Sequence, residues 1–429
     1  MNFVWIKKVN IKVYFSTITN EQNQQKRIMK KRIEKWLKET MAIACLLLIA
    51  MPMTASKKVL FDKMKGQYRI PAIVQCKSGK IIAFTDHRYD GTDIGWGHHL
   101  DIVMKTSCDG GETWSENEQM VAQGGSKVAT DFNCGHGDAA VVADNKTGEL
   151  LLMCASGGIC FFDSSREQPI MMGRYYSRDE GKTWQGEDVT SQIYKLMPDI
   201  KGAFFTSGRM VQSKKIKVGT HYRIYSALAT NRGNRVLYSD DFGKLWGVLG
   251  AQANAQEAAP KGDEAKVEEL PNGDVLLSSR VSSGRYFNIY SYDNAKTATG
   301  RWGSVSFSGA ENKGVKASSN ACNGELVLAK AKINGKKKTM LLQSVPLGPE
   351  RTKVAIYYKE LKSATDYATP ESVAANWEGC YEVSNTLSAY STMIHDNKGN
   401  ILFLMEENSV ESHYDIVFEK LSMETICGK

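Results

Sequence analysis

The chain has 429 residues, 24% of them charged and 42% hydrophobic, and a formal net charge of +8. Seven of those eight charges fall in residues 1–55, where ten Lys/Arg face three Asp/Glu, so residues 56–429 stand near +1. With no Lys/Arg stripe interleaved with aromatics, no nucleic-acid partner is expected, and nine cysteines without a CxxC pair or a Cys/His cluster speak against a zinc module.

Residues 1–28 read as an upstream extension or a start codon placed too early. Residues 29–55 read as a signal peptide. "MKKRIEKWLKET" from Met29 is basic, and "MAIACLLLIAMPMTA", Met41–Ala55, is an apolar run broken by Pro52 that ends in small residues. It is shorter than the roughly 20 residues a spanning helix needs. Cleavage is expected near Ala55-Ser56, with export to the periplasm or the medium and no stable membrane insertion of the mature chain; an uncleaved anchor is the alternative. The eight remaining cysteines are expected mainly as buried thiols, with Cys154 and Cys160 the pair considered for a disulfide.

From residue 56 onward the texture is all-β. "QYRIPAIV", Gln67–Val74, looks like a strand, yet it carries Arg69 just before Ile70-Pro71. Proline belongs at strand ends or edges. A guanidinium on so short a segment is costly to bury unless an anion meets it. Further strands are predicted at "KIIAFTD", "LDIVMKTS", "AAVVAD", "ELLLMCAS", "RIYSALAT", "DVLLSSR", "VAIYYKEL" and "NILFLME". Turn sequences such as "DGG", "PNGD" and "DNKGN" separate them.

A repeat organises these strands. "SCDGGETW" (Ser107–Trp114), "SRDEGKTW" (Ser177–Trp184) and "SDDFGKLW" (Ser239–Trp246) share one template. "SYDNAKTATGRW" (Ser291–Trp302) keeps Ser, Asp and Trp around an insertion. In such a turn Asp accepts bonds from its own backbone, Gly takes a positive φ, and Trp packs an apolar face between sheets. The role is structural. One copy per roughly 60 residues suits a four-stranded blade and predicts a six-bladed β-propeller over residues 56–429.

Tyr68-Arg69-Ile70-Pro71 followed by these Asp boxes resembles the bacterial sialidase (neuraminidase) family. The resemblance implies a sialidase-type propeller that removes terminal sialic acid with retention of configuration, needs no metal or organic cofactor, and takes sialylated glycans as partners. It implies a clamp of three arginines on the sialate carboxylate: Arg69, Arg280 from "GDEAKVEELPNGDVLLSSR", and Arg351 from "LLQSVPLGPERTKVAIYYKE". Arg285 competes with Arg280. A guanidinium suits a carboxylate because it binds through two parallel bonds and stays charged.

"LSAYSTMIHDNKGNILFLMEE" resembles the family's C-terminal motif and makes Tyr390 the nucleophile, with Glu264 as its base partner. A carboxylate nucleophile about 4 Å from the sialate carboxylate would meet a repulsion of roughly 4 kcal/mol, which a neutral tyrosine avoids. "DHRYDGTDIGWGHHLDIVMKTS" implies Arg88 lining the pocket and Asp93 as general acid/base on a glycine-rich loop, with Asp90 and Asp101 as competitors. Asp138 in "GHGDAAVVAD" would contact the sugar's polar substituents. Glu406 would orient Arg69, with Glu407 one step out of register; in a regular strand only one of the two faces the pocket. The protein is expected to be a monomer. A trans-sialidase and a non-catalytic glycan-binding propeller are the alternative readings.

Overall fold

The computed structural model describes residues 25, 28–33, 35–36, 57–90, 93–250, 257–410 and 413–428. Backbone contacts divide the chain into Met1–Ala55 and Ser56–Lys429. In the first unit residues 28–33 and 35–36 are helical. The predicted cleavage point and the apolar run before it lie outside the described residues. Among the described residues no helix is long and apolar enough to cross a membrane.

The second unit is all-β. Its strands form five hydrogen-bonded sheets of eight, six, five, five and four strands among the described residues. All eight predicted strands form. "KIIAFTD" becomes Ile81–Arg88, for example, and "NILFLME" becomes part of Asn400–Val410. The eight-stranded sheet runs from Ser388–His395 through His413–Ser422 to Tyr68–Gln75 and Gln119–Ala122. Its two halves meet at one residue pair, Tyr68 with Tyr414. Lys58–Phe61 pairs with His413–Ser422, so both ends of this unit share a sheet.

The leading strands of the sheets pack on one another at the centre of the molecule: Tyr68–Gln75, His136–Ala143, Gly208–Arg209, Ala265–Glu269, Leu326–Ile333 and Ser388–His395. Where both faces of such a strand are covered it carries apolar residues on both, as in "HGDAAVVA" with seven of eight residues buried. Three of them are irregular where the chain passes the cleft. The register shifts between Arg69 and Ala72, between Gly137 and Ala140, and between Ser388 and Ser391. Ile70 and Asp138 sit there at φ 57° and 58°. A β-branched residue in that region costs of order 1–3 kcal/mol and persists only where its surroundings impose it. Such bulges re-aim side chains.

Three of the repeated turns share one hydrogen-bond pattern. Ser107 Oγ donates to Asp109 at 2.8 Å and accepts from Gly111 N at 2.9 Å, and Asp109 accepts from Thr113 N at 2.9 Å. Ser177-Asp179-Gly181-Thr183 and Ser239-Asp241-Gly243-Leu245 repeat it. The bonds hold Asp109 and Asp179 below the usual carboxylate range, although Asp109 is exposed and Asp179 only half-buried. A Cβ on Gly111 would fall 2.5 Å from Phe418 in the other half of the same sheet, and on Gly181 or Gly243 2.8 or 2.3 Å from Ile82 or Leu151 of the adjoining sheet. Each glycine is thus a docking point as well as a positive-φ turn. Trp114 and Trp184 pack on Phe418 and Phe84 across the same junctions.

The fourth stretch differs. The strand Gly284–Asn294 runs straight through Ser291, and the turn follows at 295–298. Asp293 faces Arg301 at 3.6 Å instead of capping its own turn. Only the tryptophan role survives: Trp302 Nε1 donates to Leu249 O at 3.2 Å. The insertion lengthens the hairpin, so the aspartate no longer reaches the backbone it would cap. All eight cysteines of this unit are free thiols, Cys154 and Cys160 included.

Candidate active site

The cleft opens at the end of the central strands where the three bulges lie. It has a volume of about 530 Å³, and its lining includes Arg69, Arg88, Asp93, Asp138, Glu264, Arg280, Arg351 and Tyr390. Eight of the nine residues singled out from sequence therefore share one cavity. They come from segments up to 321 positions apart in the chain.

Glu406, the ninth, lies directly behind it and is fully buried. Its carboxylate accepts from Arg69 Nε at 2.7 Å, Ile70 N at 2.8 Å and Tyr390 N at 3.1 Å. The bulge at Ile70-Pro71 is what turns the Ile70 N–H toward Glu406. Arg69 also lies over the Tyr414 ring at 5.0 Å. Glu407, the next residue, points away and pairs with Lys57 at 2.5 Å. Strand alternation thus sends the two glutamates to opposite faces.

Glu264 and Arg280 are cross-strand neighbours, joined through Arg280 N to Glu264 O at 2.7 Å. Arg280 Nη1 lies 2.5 Å from Glu264 Oε2 and 3.3 Å from the Tyr390 hydroxyl. The Tyr390 hydroxyl donates to the same Glu264 oxygen at 2.9 Å. Burial raises the Glu264 carboxyl, opposed by Arg280. Burial and the Glu264 charge raise Tyr390 well above its ordinary value, opposed by Arg280 and Arg351. Arg285, the competitor of Arg280, points into the sheet and donates to Ser278 Oγ and O at 3.0 and 2.8 Å. Burial without a carboxylate partner lowers its guanidinium to about 10.

Arg351 arrives on the turn between Lys336–Gly348 and Thr352–Glu360, at φ 57°. Its Nε donates to Asn320 O at 3.3 Å, and its guanidinium stands 5.6 Å from the Tyr390 ring centre, as Arg69 does at 5.8 Å. Three guanidinium groups thus surround one phenol.

On the opposite wall Arg88 holds Asp93 at 3.0 Å and Asp86 at 3.2 Å. The Asp93 side chain is 63% exposed, open to a ligand entering the cleft. Asp101, its competitor, accepts from Tyr89 Oη, Gly124 N and His99 and lies outside the cleft lining. Asp90 also lies outside the lining. Asp138 is buried, and desolvation next to Asp86 raises its carboxyl.

Several neighbours of the site were not singled out from sequence. Asp86 is fully buried and accepts from Arg88 and from Asp138 N at 3.1 Å, which ties the two walls together. It stands two residues before Arg88, and that proximity was the available signal. Asp263 approaches Arg280 Nε at 3.5 Å. Ile94, Phe161, Ile170 and Phe204 form an apolar side, and Trp96 and Phe162 project at the rim. Nothing in their local sequence distinguishes these from core residues. Among the described residues no group of His, Cys, Asp and Glu is spaced to hold a metal ion.

No family model matches the chain. Among curated proteins it is 31% identical over 231 residues to a sialidase of Micromonospora viridifaciens, covering 50% of this chain and 33% of that protein. It is 25% identical over 305 residues to a sialidase of Bacteroides fragilis, covering 66% and 51%. A sialidase of Paraclostridium sordellii is 26% identical over 292 residues, covering 64% and 68%. The chain thus spans a third to a half of the length of the first two. Among solved structures, the intramolecular trans-sialidase of Ruminococcus gnavus superposes with a TM-score of 0.65 at 17% identity, over 88% of this chain and 99% of that one. A Hadza microbial sialidase superposes at 0.64 with 22% identity, over 84% and 66%. These superpositions show a shared all-β architecture. The chain is thus similar in sequence to sialidases from several bacterial genera.

Proposed function

We propose that the protein is a retaining exo-α-sialidase that hydrolyses terminal sialic acid from glycoproteins, glycolipids or oligosaccharides. The observation that carries this reading is the Tyr390 hydroxyl, 2.9 Å from Glu264 and ringed by Arg69, Arg280 and Arg351. In the proposed reaction the three arginines hold the sialate carboxylate. Asp93 protonates the glycosidic oxygen as the leaving group departs. Tyr390, giving its proton to Glu264, attacks the anomeric carbon and forms a tyrosyl-sialoside. Asp93 then takes a proton from water, which releases the sugar with retained configuration and restores Tyr390. Tyrosine is a weak nucleophile at an ordinary pKa near 10, and the adjoining carboxylate is what activates it. Arg88 and Asp138 line the sugar's polar side, and Glu406 keeps Arg69 in place.

Around this site we infer a six-bladed propeller. The single pair joining Tyr68 to Tyr414 supports counting the eight-stranded sheet as two blades, which raises five sheets to six. The three turns with matched hydrogen bonds are then Asp boxes at blade junctions. Residues 29–55 act as the export signal, and the exported chain acts as a monomer.

Tyr390→Phe tests the chemistry. Turnover of a fluorogenic sialoside should fall by at least about 10²-fold with the thermal midpoint unchanged. Near wild-type rates would remove Tyr390 from the reaction. A second reading, transfer instead of hydrolysis, draws on exposed Trp96 and Phe162 at the rim, 58% and 86% accessible, which could keep water from the intermediate. Product analysis with sialyllactose and added lactose separates them: free sialic acid for hydrolysis, sialylated acceptor or an anhydro sugar for transfer.

A further inference from the structure

The central strands have a second end. Tyr390 and His395 lie on one strand, and five residues at 3.3–3.4 Å each separate the cleft from the opposite end by about 17 Å. There the turns that leave the central strands gather. Gln75 Oε1 accepts from Asn397 N at 3.1 Å, Gln212 Oε1 from Asn145 N at 3.0 Å, and Lys77 Nζ donates to Lys146 O at 2.6 Å.

The ammonium groups on this end point outward. Lys77, Lys146 and Lys398 are exposed on three turns, and Lys214, Lys215 and Lys217 on the strand Val211–Val218. The hairpin "KAKINGKKK" adds exposed Lys330, Lys332, Lys336 and Lys337. Among the described residues none of these ten has a carboxylate within salt-bridge distance. Several are set against one another. Lys332 lies directly opposite Lys337, a pairing that destabilises a hairpin. Lys146 holds the Lys217 ammonium below its ordinary value.

Several carboxylates at this end are taken up by turn or side-chain partners, while exposed Glu424 accepts from Asn334 N at the tip of the lysine hairpin. Asp144 accepts from Lys146 N and His221, and Asp396 from Lys398 N and Asn400 N. Glu269 accepts from Ser213 Oγ and Lys214 N, and Glu149 pairs with Arg178. With residues 56–429 near +1 overall, a cationic end is a segregation of charge, not a consequence of composition.

We propose that this end of the molecule docks on an anionic lipid bilayer, with the cleft facing away from it. Lysines are flexible point charges that suit a diffuse sheet of headgroups, whereas bidentate recognition of single ligands favours arginine. They are spread over separate turns and strands, and of the ten Lys214 alone lines the groove at this end, which fits a plane better than one polyanionic strand. No large hydrophobic side chain is exposed on these turns among the described residues, so the contact is electrostatic and peripheral.

The test is sedimentation of the purified protein with vesicles. Binding is expected to phosphatidylcholine vesicles containing about a third phosphatidylglycerol, not to phosphatidylcholine alone, with release between about 0.05 and 0.5 M NaCl. The triple variant Lys332→Glu/Lys336→Glu/Lys337→Glu, and separately Lys77→Glu/Lys398→Glu, should each weaken binding by at least about tenfold. Unchanged melting curves would show that both variants fold. Equal affinity for the two vesicle types, or insensitivity to both variants, would overturn the proposal. So would retention on a heparin resin without binding to anionic vesicles, since the partner would then be a polyanionic chain.

Discussion

The two ends of the central strands treat positive charge in opposite ways. At the cleft end Arg69 and Arg280 are each locked to a buried carboxylate, Glu406 and Glu264, and Arg88 to Asp86. Ion pairs in a low-dielectric setting repay desolvation only with such geometry. At the far end the ten exposed lysines stand in water without carboxylate partners. The contrast teaches that the first set is pre-organised, its guanidinium groups held in fixed directions for one ligand in one orientation. The second set is adaptable and carries no geometric information.

The largest effect should come from removing the anchor of the clamp. Glu406→Ala leaves the Arg69 guanidinium and the N–H groups of Ile70 and Tyr390 without their acceptor. It should cost about 3–5 kcal/mol in urea unfolding and abolish turnover. A loss under about 1 kcal/mol would erase the distinction between the two ends.

Next is a pH effect inside the cleft. In the proposed reaction Glu264 accepts the Tyr390 proton and must be ionised to do so, so kcat/KM should rise with pH through the Glu264 pKa. Burial raises that pKa and Arg280 lowers it. In Arg280→Met the residual activity should show its acid limb displaced to higher pH by on the order of one unit. Displacement to lower pH, or none, would separate Glu264 from the acid limb.

Gly181→Ala probes a sheet junction away from both ends. With φ +84° and Ile82 Cδ1 only 2.8 Å from the new Cβ, it should cost roughly 1–3 kcal/mol. Gly399→Ala, also at positive φ but with open space around it, should cost about 1 kcal/mol. Equal losses would mean the glycine's role is backbone freedom alone. The smallest effect belongs to the far end. Lys336→Glu should shift stability by less than about 0.5 kcal/mol and leave turnover of a soluble sialoside unchanged.

Much of the cleft could be read before any coordinates. Arg69 stood out because a charge on a proline-stiffened strand needs an anion, and Tyr390 because its flanking motif was familiar. Both line the cleft. The choices left open were matters of direction. Glu406 against Glu407 turned on which face of a strand looks inward. Arg280 against Arg285 turned on which of two paired residues faces the cavity. Asp86 went unremarked because a buried carboxylate joining two walls looks, in one dimension, like any strand aspartate. The fourth repeat misled because a shared Ser, Asp and Trp does not ensure a shared turn once residues are inserted.

The amino-acid order by itself determined the all-β texture, the strand positions and the three matched turns. Each depends on residues within about eight positions of one another, where backbone hydrogen bonding and side-chain alternation are local. Only the tertiary structure decided which charges face each other. Arg69 meets Glu406 across 337 positions and Tyr390 meets Glu264 across 126. Electrostatic partnership depends on distance in space, which no local pattern encodes.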